Sequence, residues 1–100
     1  MSTHAAEHWH GIARRLEPDT GNFIDGVFQP ALSGATFPSI NPATGEVIAE
    51  LPRSGQADVD VAVASASGAF RRGDWSRLAP RDRMQILYRF ADRLEAHADE

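Results

Sequence analysis

The chain of 100 residues contains no cysteine, and all ten of its basic residues are arginine, so lysine is absent as well. Without a thiol the segment supplies no disulfide, no thiolate zinc ligand and no cysteine nucleophile. Without lysine it supplies neither a Schiff-base amine nor the cation of a P-loop. Glycines stand at 11, 21, 26, 34, 45, 55, 68 and 73; no two are separated by a single residue, so the GxGxxG dinucleotide fingerprint does not occur. Gly21 to Gly26 and Gly68 to Gly73 have the P-loop gap, but Val27 and Asp74 stand where lysine is required. Long apolar runs are missing too. The longest uncharged window, Gly26 to Gly45, is interrupted by Pro30, Pro38 and Pro42 and cannot be a spanning helix. Ten arginines against 14 acidic residues leave a formal charge of -4, with no broad positive field for a phosphate backbone. Neither nucleic acid nor a membrane is expected as a partner.

What is present is ordinary globular composition, 42% hydrophobic and 24% charged, too apolar for a wholly disordered chain. A compact chain of this length buries roughly 60–70% of its unfolded surface, enough for a modest core but not for a large cofactor cavity. Arg14-Arg15-Leu16 resembles a twin-arginine signal, yet Glu17-Pro18-Asp19-Thr20 follows where an apolar stretch is needed. A cytoplasmic location is therefore the expectation. Trp9, Ile12, Ala13 and Leu16 fall at i, i+3, i+4 and i+7, which predicts a short docking helix ending before Pro18.

Beyond a turn cluster at residues 17–21, Asn22 to Phe28 places two apolar pairs around Asp25-Gly26, the signal of a tight hairpin or a bulged strand. Phe37-Pro38-Ser39-Ile40 reads as extended, Asn41-Pro42-Ala43-Thr44-Gly45 as a type I turn, and Val47 to Leu51 as a strand stopped by Pro52. Together these predict a small antiparallel ribbon. From Ser54, a candidate N-cap, Val59, Ala62, Val63, Ala66 and Phe70 mark one helical face, with Asp58 in the first turn. The alternation of Val59, Val61 and Val63 offers a strand instead, but alanine content and length favour helix. Gly68 and Gly73 are expected to close it. Pro80 then suits the first position of a second helix, in which Met84, Leu87, Ala91, Leu94 and Ala98 recur at spacings of three and four, widened by Ile86, Tyr88 and Phe90. Asp99-Glu100 provides no cap for this helix, so the chain reads as cut. Strands followed by helices describe the opening of an α/β domain.

Candidate chemistry is sparse. His4, His8 and His10 include an i, i+4 pair that could clamp a metal, but no third ligand is evident, and a solvated tail is the simpler account. Asp58 and Asp60 face different directions on a helix, so helix-start electrostatics explains them better than paired catalysis. The arginines of residues 71–93 are balanced by neighbouring acids and read as a solvated, salt-bridged face. Trp75 reads as a core anchor.

The succession Phe23-Ile24-Asp25-Gly26, Thr36-Phe37-Pro38-Ser39-Ile40-Asn41-Pro42-Ala43-Thr44-Gly45-Glu46-Val47-Ile48, Asp58 to Phe70, and Trp75 to Glu95 with Arg81, Arg83, Leu87, Ala91, Asp92 and Leu94 resembles the N-terminal part of the aldehyde dehydrogenase superfamily. The histidine-bearing first helix and the Gly73-Asp74-Trp75-Ser76 loop most resemble the aminoaldehyde branch that oxidises γ-glutamyl-γ-aminobutyraldehyde in putrescine breakdown. The resemblance implies an α/β fold in which a short helix, an antiparallel ribbon and two helices flank a Rossmann-like domain. Residues 1–19 would be an N-terminal extension, and residues 20–100 the start of the cofactor-binding domain, incomplete at its C-terminus. It also implies a homo-oligomeric parent, dimer or tetramer, that uses NAD or NADP. There a cysteine thiolate attacks the aldehyde and a glutamate activates the deacylating water. None of those catalytic or cofactor-binding residues lies in this chain, which alone should be inactive. The resemblance implies one site in part: the Ser39 and Ile40 backbone carbonyls match part of a Na⁺ or K⁺ site in the family. The alternative reading is a small, non-enzymatic module that docks a partner through an amphipathic helix. If the chain is a segment, Met84, Leu87, Phe90, Ala91 and Leu94 lack their normal cover, and partial unfolding or aggregation of the isolated piece follows.

Overall fold

A computed structural model describes residues 3–99. In chain order it contains α1 (Thr3–Ala13), β1 (Asn22–Ile24), β2 (Val27–Gln29), β3 (Thr36–Ile40), β4 (Val47–Pro52), α2 (Gln56–Arg72) and α3 (Pro80–Ala96). The chain divides into two compact units: Asp19–Ser76, and the residues up to Pro18 together with those from Arg77 onward.

In the first of these units the expected single ribbon is two separate antiparallel hairpins, β1–β2 and β3–β4. The first is the tight form. Asp25 (φ 52°) and Gly26 (φ 81°) both adopt left-handed backbone, which matches a two-residue turn to the twist of the flanking strands. Phe23 and Phe28 lie opposite each other with ring centroids 4.9 Å apart.

In the second hairpin the N–H of Arg53 donates to the Ala35 carbonyl at 2.8 Å. Because alternate pairs of an antiparallel ladder exchange hydrogen bonds, this places Thr36↔Pro52 and Pro38↔Glu50 at the non-bonded positions. Both prolines thus sit where a missing N–H costs the ladder nothing, and each leaves one outer edge short of a donor. Pro52 is therefore the last member of β4, not the residue that stops it. The connecting turn satisfies itself: the Asn41 N–H donates to the Glu46 carbonyl at 2.8 Å, the Gly45 N–H to the Asn41 carbonyl at 2.7 Å, and the Ala43 N–H to Asn41 Oδ1 at 2.9 Å.

α2 starts one residue later than expected. Gly55, not Ser54, is its N-cap, because the Ser54 hydroxyl instead accepts from Asn22 Nδ2 at 2.8 Å. Its end lies at Gly73, in left-handed backbone (φ 80°, ψ 22°), with the Gly73 N–H on the Ala69 carbonyl. Gly68 is interior, since the reversal of hand that ends the helix occurs five residues later. The covered side of α2 also differs from the expected one. Ala62, Ser65 and Ala69 are half-buried, whereas Val59, Val63 and Phe70 are exposed, Phe70 at 72%. Small residues let the helix approach β1 closely, and the branched and aromatic stripe is left outside. Trp75 is 44% exposed and anchors no core here.

In the other unit, α1 presents Trp9 and half-buried Ile12 as expected. The helix closes at Ala13, and Leu16 follows it with its N–H on the Ile12 carbonyl at 3.2 Å. α3 opens on Pro80 as expected and carries its apolar stripe uncovered: Met84, Leu87, Phe90 and Leu94 are each about half exposed or more. It does have an end. Its last turn tightens, with the N–H groups of His97 and Ala98 on the Leu94 and Glu95 carbonyls and His97 Nδ1 2.8 Å from the Arg93 carbonyl oxygen. Glu100, the second of the two expected terminal acids, lies outside the described residues.

Arg81, Arg89 and Arg93 of α3 are exposed and Arg83 is half-buried, and among the described residues none of them is salt-bridged. Among the described residues the Arg–carboxylate pair is Arg72–Asp74 at 3.0 Å, and His4 Nδ1 lies 3.9 Å from a Glu7 carboxylate oxygen.

Candidate functional site

Ser39 and Ile40 close β3, with Ser39 half-buried and Ile40 47% exposed. Ser39 pairs with Ala49, but Ile40 pairs with Val47, so Ile48 is an extra residue and the register breaks between Ser39 and Ile40. In a regular strand, successive carbonyls point to opposite sides and cannot share one ion. A bulge bends the ladder and re-aims its groups. The extra residue lies on β4, opposite Ser39 and Ile40, and the alternation of the ladder puts Ser39↔Ala49 at a hydrogen-bonded position. Neutral carbonyl oxygens are the donor type that suits a weakly polarising Na⁺ or K⁺.

The histidines do not assemble a second site. His4 and His8 stand on successive turns of α1, yet among the described residues no three His, Asp or Glu side chains converge. No described helix is long and apolar enough to cross a membrane.

The polar centre of the Asp19–Ser76 unit is Asp58, 7% exposed and at the third position of α2. Its Oδ1 accepts the Leu32 N–H and its Oδ2 the Gly55 N–H, each at 2.8 Å. The hydrogen bond from Gly55, then that from Leu32, holds the carboxyl below its ordinary range, against the opposing effect of burial. Asp60, two residues on, points elsewhere and accepts from Gln56 Nε2 at 2.8 Å. Helix-start electrostatics thus describes only half of what Asp58 does. Its partner 26 residues away is a tertiary contact with no local spacing to announce it.

The family model described as the aldehyde dehydrogenase family matches residues 28–100. This chain belongs to the aldehyde dehydrogenase family. Aminoacetaldehyde dehydrogenase of Pseudomonas aeruginosa is 44% identical over 91 residues, 91% of this chain and 18% of that protein. Among solved structures, γ-glutamyl-γ-aminobutyraldehyde dehydrogenase from Burkholderia cenocepacia J2315 superposes with a TM-score of 0.85 at 40% identity, over 91% of this chain and 18% of that one. The indole-3-acetaldehyde dehydrogenase of P. syringae, solved with NAD⁺, gives 0.84 at 41%, over 90% and 18%. The chain thus spans about a fifth of the length of the aldehyde dehydrogenases it matches and has the fold of their N-terminal part. The free-standing docking module is not favoured by these matches.

Proposed function

We propose that this chain is the N-terminal segment of an aldehyde dehydrogenase that oxidises an aminoaldehyde, γ-glutamyl-γ-aminobutyraldehyde or a close analogue, to its acid with NAD or NADP. The observation that carries the reading is the family match over residues 28–100. The aminoaldehyde class rests on the names of two of the relatives, and nicotinamide use on the NAD⁺-bound structure of the third. The cofactor would supply the hydride acceptor. Since this segment holds no cysteine, the thiolate that the reaction needs would belong to another part of the polypeptide. Residues 1–19 form an extension and residues 20–100 begin the cofactor-binding domain of a cytoplasmic homo-oligomer.

The contribution of this segment is a scaffold with half of a monovalent-cation site at the Ser39 and Ile40 carbonyls. Cover for the α3 stripe comes from the rest of the polypeptide, because Met84, Leu87, Phe90 and Leu94 form a row of apolar side chains about half exposed or more, the kind of surface that marks an interaction face. The test is reduction of NAD and NADP by the complete polypeptide with aminoaldehydes, indole-3-acetaldehyde and simple aliphatic aldehydes. Fastest turnover on aminoaldehydes is expected, with none from the isolated chain. Equal or faster turnover of indole-3-acetaldehyde would remove the aminoaldehyde assignment, and no turnover of any aldehyde would remove the enzyme reading.

A further inference from the structure

The hairpin that carries Ser39 and Ile40 is not closely packed on a helix. Among the described residues the closely packed pairs of elements are β3 with β4, β1 with β2, and α2 with β1. At its base Thr36, Glu50 and Pro52 line one cavity with Phe28 and Gln29 of β2, and the chain entering β3 and the chain leaving β4 meet at the start of α2. The N–H of Arg53, just past β4, is bonded to the carbonyl of Ala35, just before β3. Asp58, five residues beyond Arg53, holds the Leu32 and Gly55 N–H groups on its two carboxylate oxygens. The loop it holds is braced internally: Ala31 is 3% exposed, and its carbonyl accepts the Gly34 N–H at 2.8 Å. This closed turn stands between Leu32 and the start of β3 at Thr36.

We infer that Asp58 is the positioning residue of the β3–β4 hairpin, joining the loop that enters it to the start of α2 and thereby fixing where the Ser39 and Ile40 carbonyls stand. Its consequence for cation affinity rests on the cation reading given above. A carboxylate is suited to this position because it is an acceptor only, with an oxygen for each N–H. Asparagine of the same size offers one oxygen and confronts the second N–H with an amide donor.

The test compares Asp58→Asn with Ser54→Ala in the complete polypeptide. The second change removes the neighbouring Asn22–Ser54 bond and leaves the carboxylate in place. Hydrogen exchange is followed by mass spectrometry over residues 30–40 and 47–57, and Tl⁺ binding is measured by titration as the probe of the cation site. Asp58→Asn is expected to speed exchange over residues 30–40 by about tenfold or more, the loss of one charge-assisted bond, and to weaken Tl⁺ binding by a similar factor. Ser54→Ala should leave both within about twofold. Faster exchange confined to the first turn of α2, with residues 30–40 and Tl⁺ binding unchanged, would reduce Asp58 to a helix cap and overturn the inference. If the unsubstituted protein takes up no Tl⁺, the cation reading fails on its own, and exchange over residues 30–40 alone decides the positioning role. Should Asp58→Asn not fold, Asp58→Ser, which keeps one acceptor, is read in the same way.

Discussion

The junction around Asp58 and the stripe along α3 are held in opposite ways. At the junction a single carboxylate, two backbone amides and the Arg53–Ala35 bond close on each other within the segment. Along α3, Met84, Leu87, Phe90 and Leu94 are patterned for burial and touch little. Directional bonds can be completed by a few residues from nearby strands and loops. Apolar burial needs area, and this segment does not contain enough of it. A piece of a larger fold can thus have finished local geometry and an unfinished core.

The largest expected effect follows from that difference. The isolated chain should melt over a broad range and bind a hydrophobic dye, whereas the complete polypeptide melts cooperatively and binds little. Calorimetry and dye fluorescence on the two species check this. A sharper form uses one residue in two contexts. If the stripe is covered in the complete polypeptide, Leu87→Ala should cost about 2–5 kcal/mol there, and less than about 0.5 kcal/mol in the isolated chain, where Leu87 is 55% exposed. Denaturant unfolding of both measures the gap, and equal costs would erase the contrast between the two regions.

The β1–β2 hairpin of the same unit is tested next by backbone geometry. A methyl added at Gly21 would meet the Gln29 backbone nitrogen at 3.0 Å and oxygen at 3.1 Å, so Gly21→Ala should destabilise by about 1–3 kcal/mol through overpacking. Gly26→Ala forces a side chain into left-handed backbone and should cost about 1–2 kcal/mol. Both are read from denaturant midpoints in the complete polypeptide.

A pH effect comes from Asp58, whose folded-state pKa lies below its unfolded value. Its stabilisation is fully present above the ordinary aspartate pKa of about 3.9 and is lost as pH falls through the lower, folded value. Unfolding midpoints below about pH 4 should therefore fall more steeply in the native protein than in Asp58→Asn. The smallest effect is at the exposed Arg72–Asp74 pair. Arg72→Ala should change stability by less than about 1 kcal/mol, less still in high salt.

How much of this was readable in advance followed the range of each interaction. The Asp25-Gly26 turn, the Asn41–Glu46 turn, Pro80 at the start of α3 and Gly73 at the end of α2 depend on residues within a few positions, and local spacing announced them. The long-range bond of Asp58 to Leu32 did not show, because an aspartate in a first helical turn has a sufficient local explanation. The same bias misassigned the cap of α2 to Ser54, whose hydroxyl is taken by Asn22 across 32 residues. Periodicity identified which residues of α2 and α3 require cover, but not whether the cover lies within this segment. For Val59, Val63 and Phe70 it does not. At the candidate site, Ser39 and Ile40 came from family resemblance, while the register break between them is visible only in the paired strands.

The central claim is that the α3 stripe is an internal surface of a larger aldehyde dehydrogenase. It is tested most directly by hydroxyl-radical footprinting at Met84, which is 48% exposed in this segment, compared between the isolated chain and the complete polypeptide. Labelling of Met84 reduced by roughly tenfold or more in the complete polypeptide is the predicted result, as expected of a buried core side chain. Equal labelling in both would mean that the stripe faces solvent in the whole protein and would contradict the account.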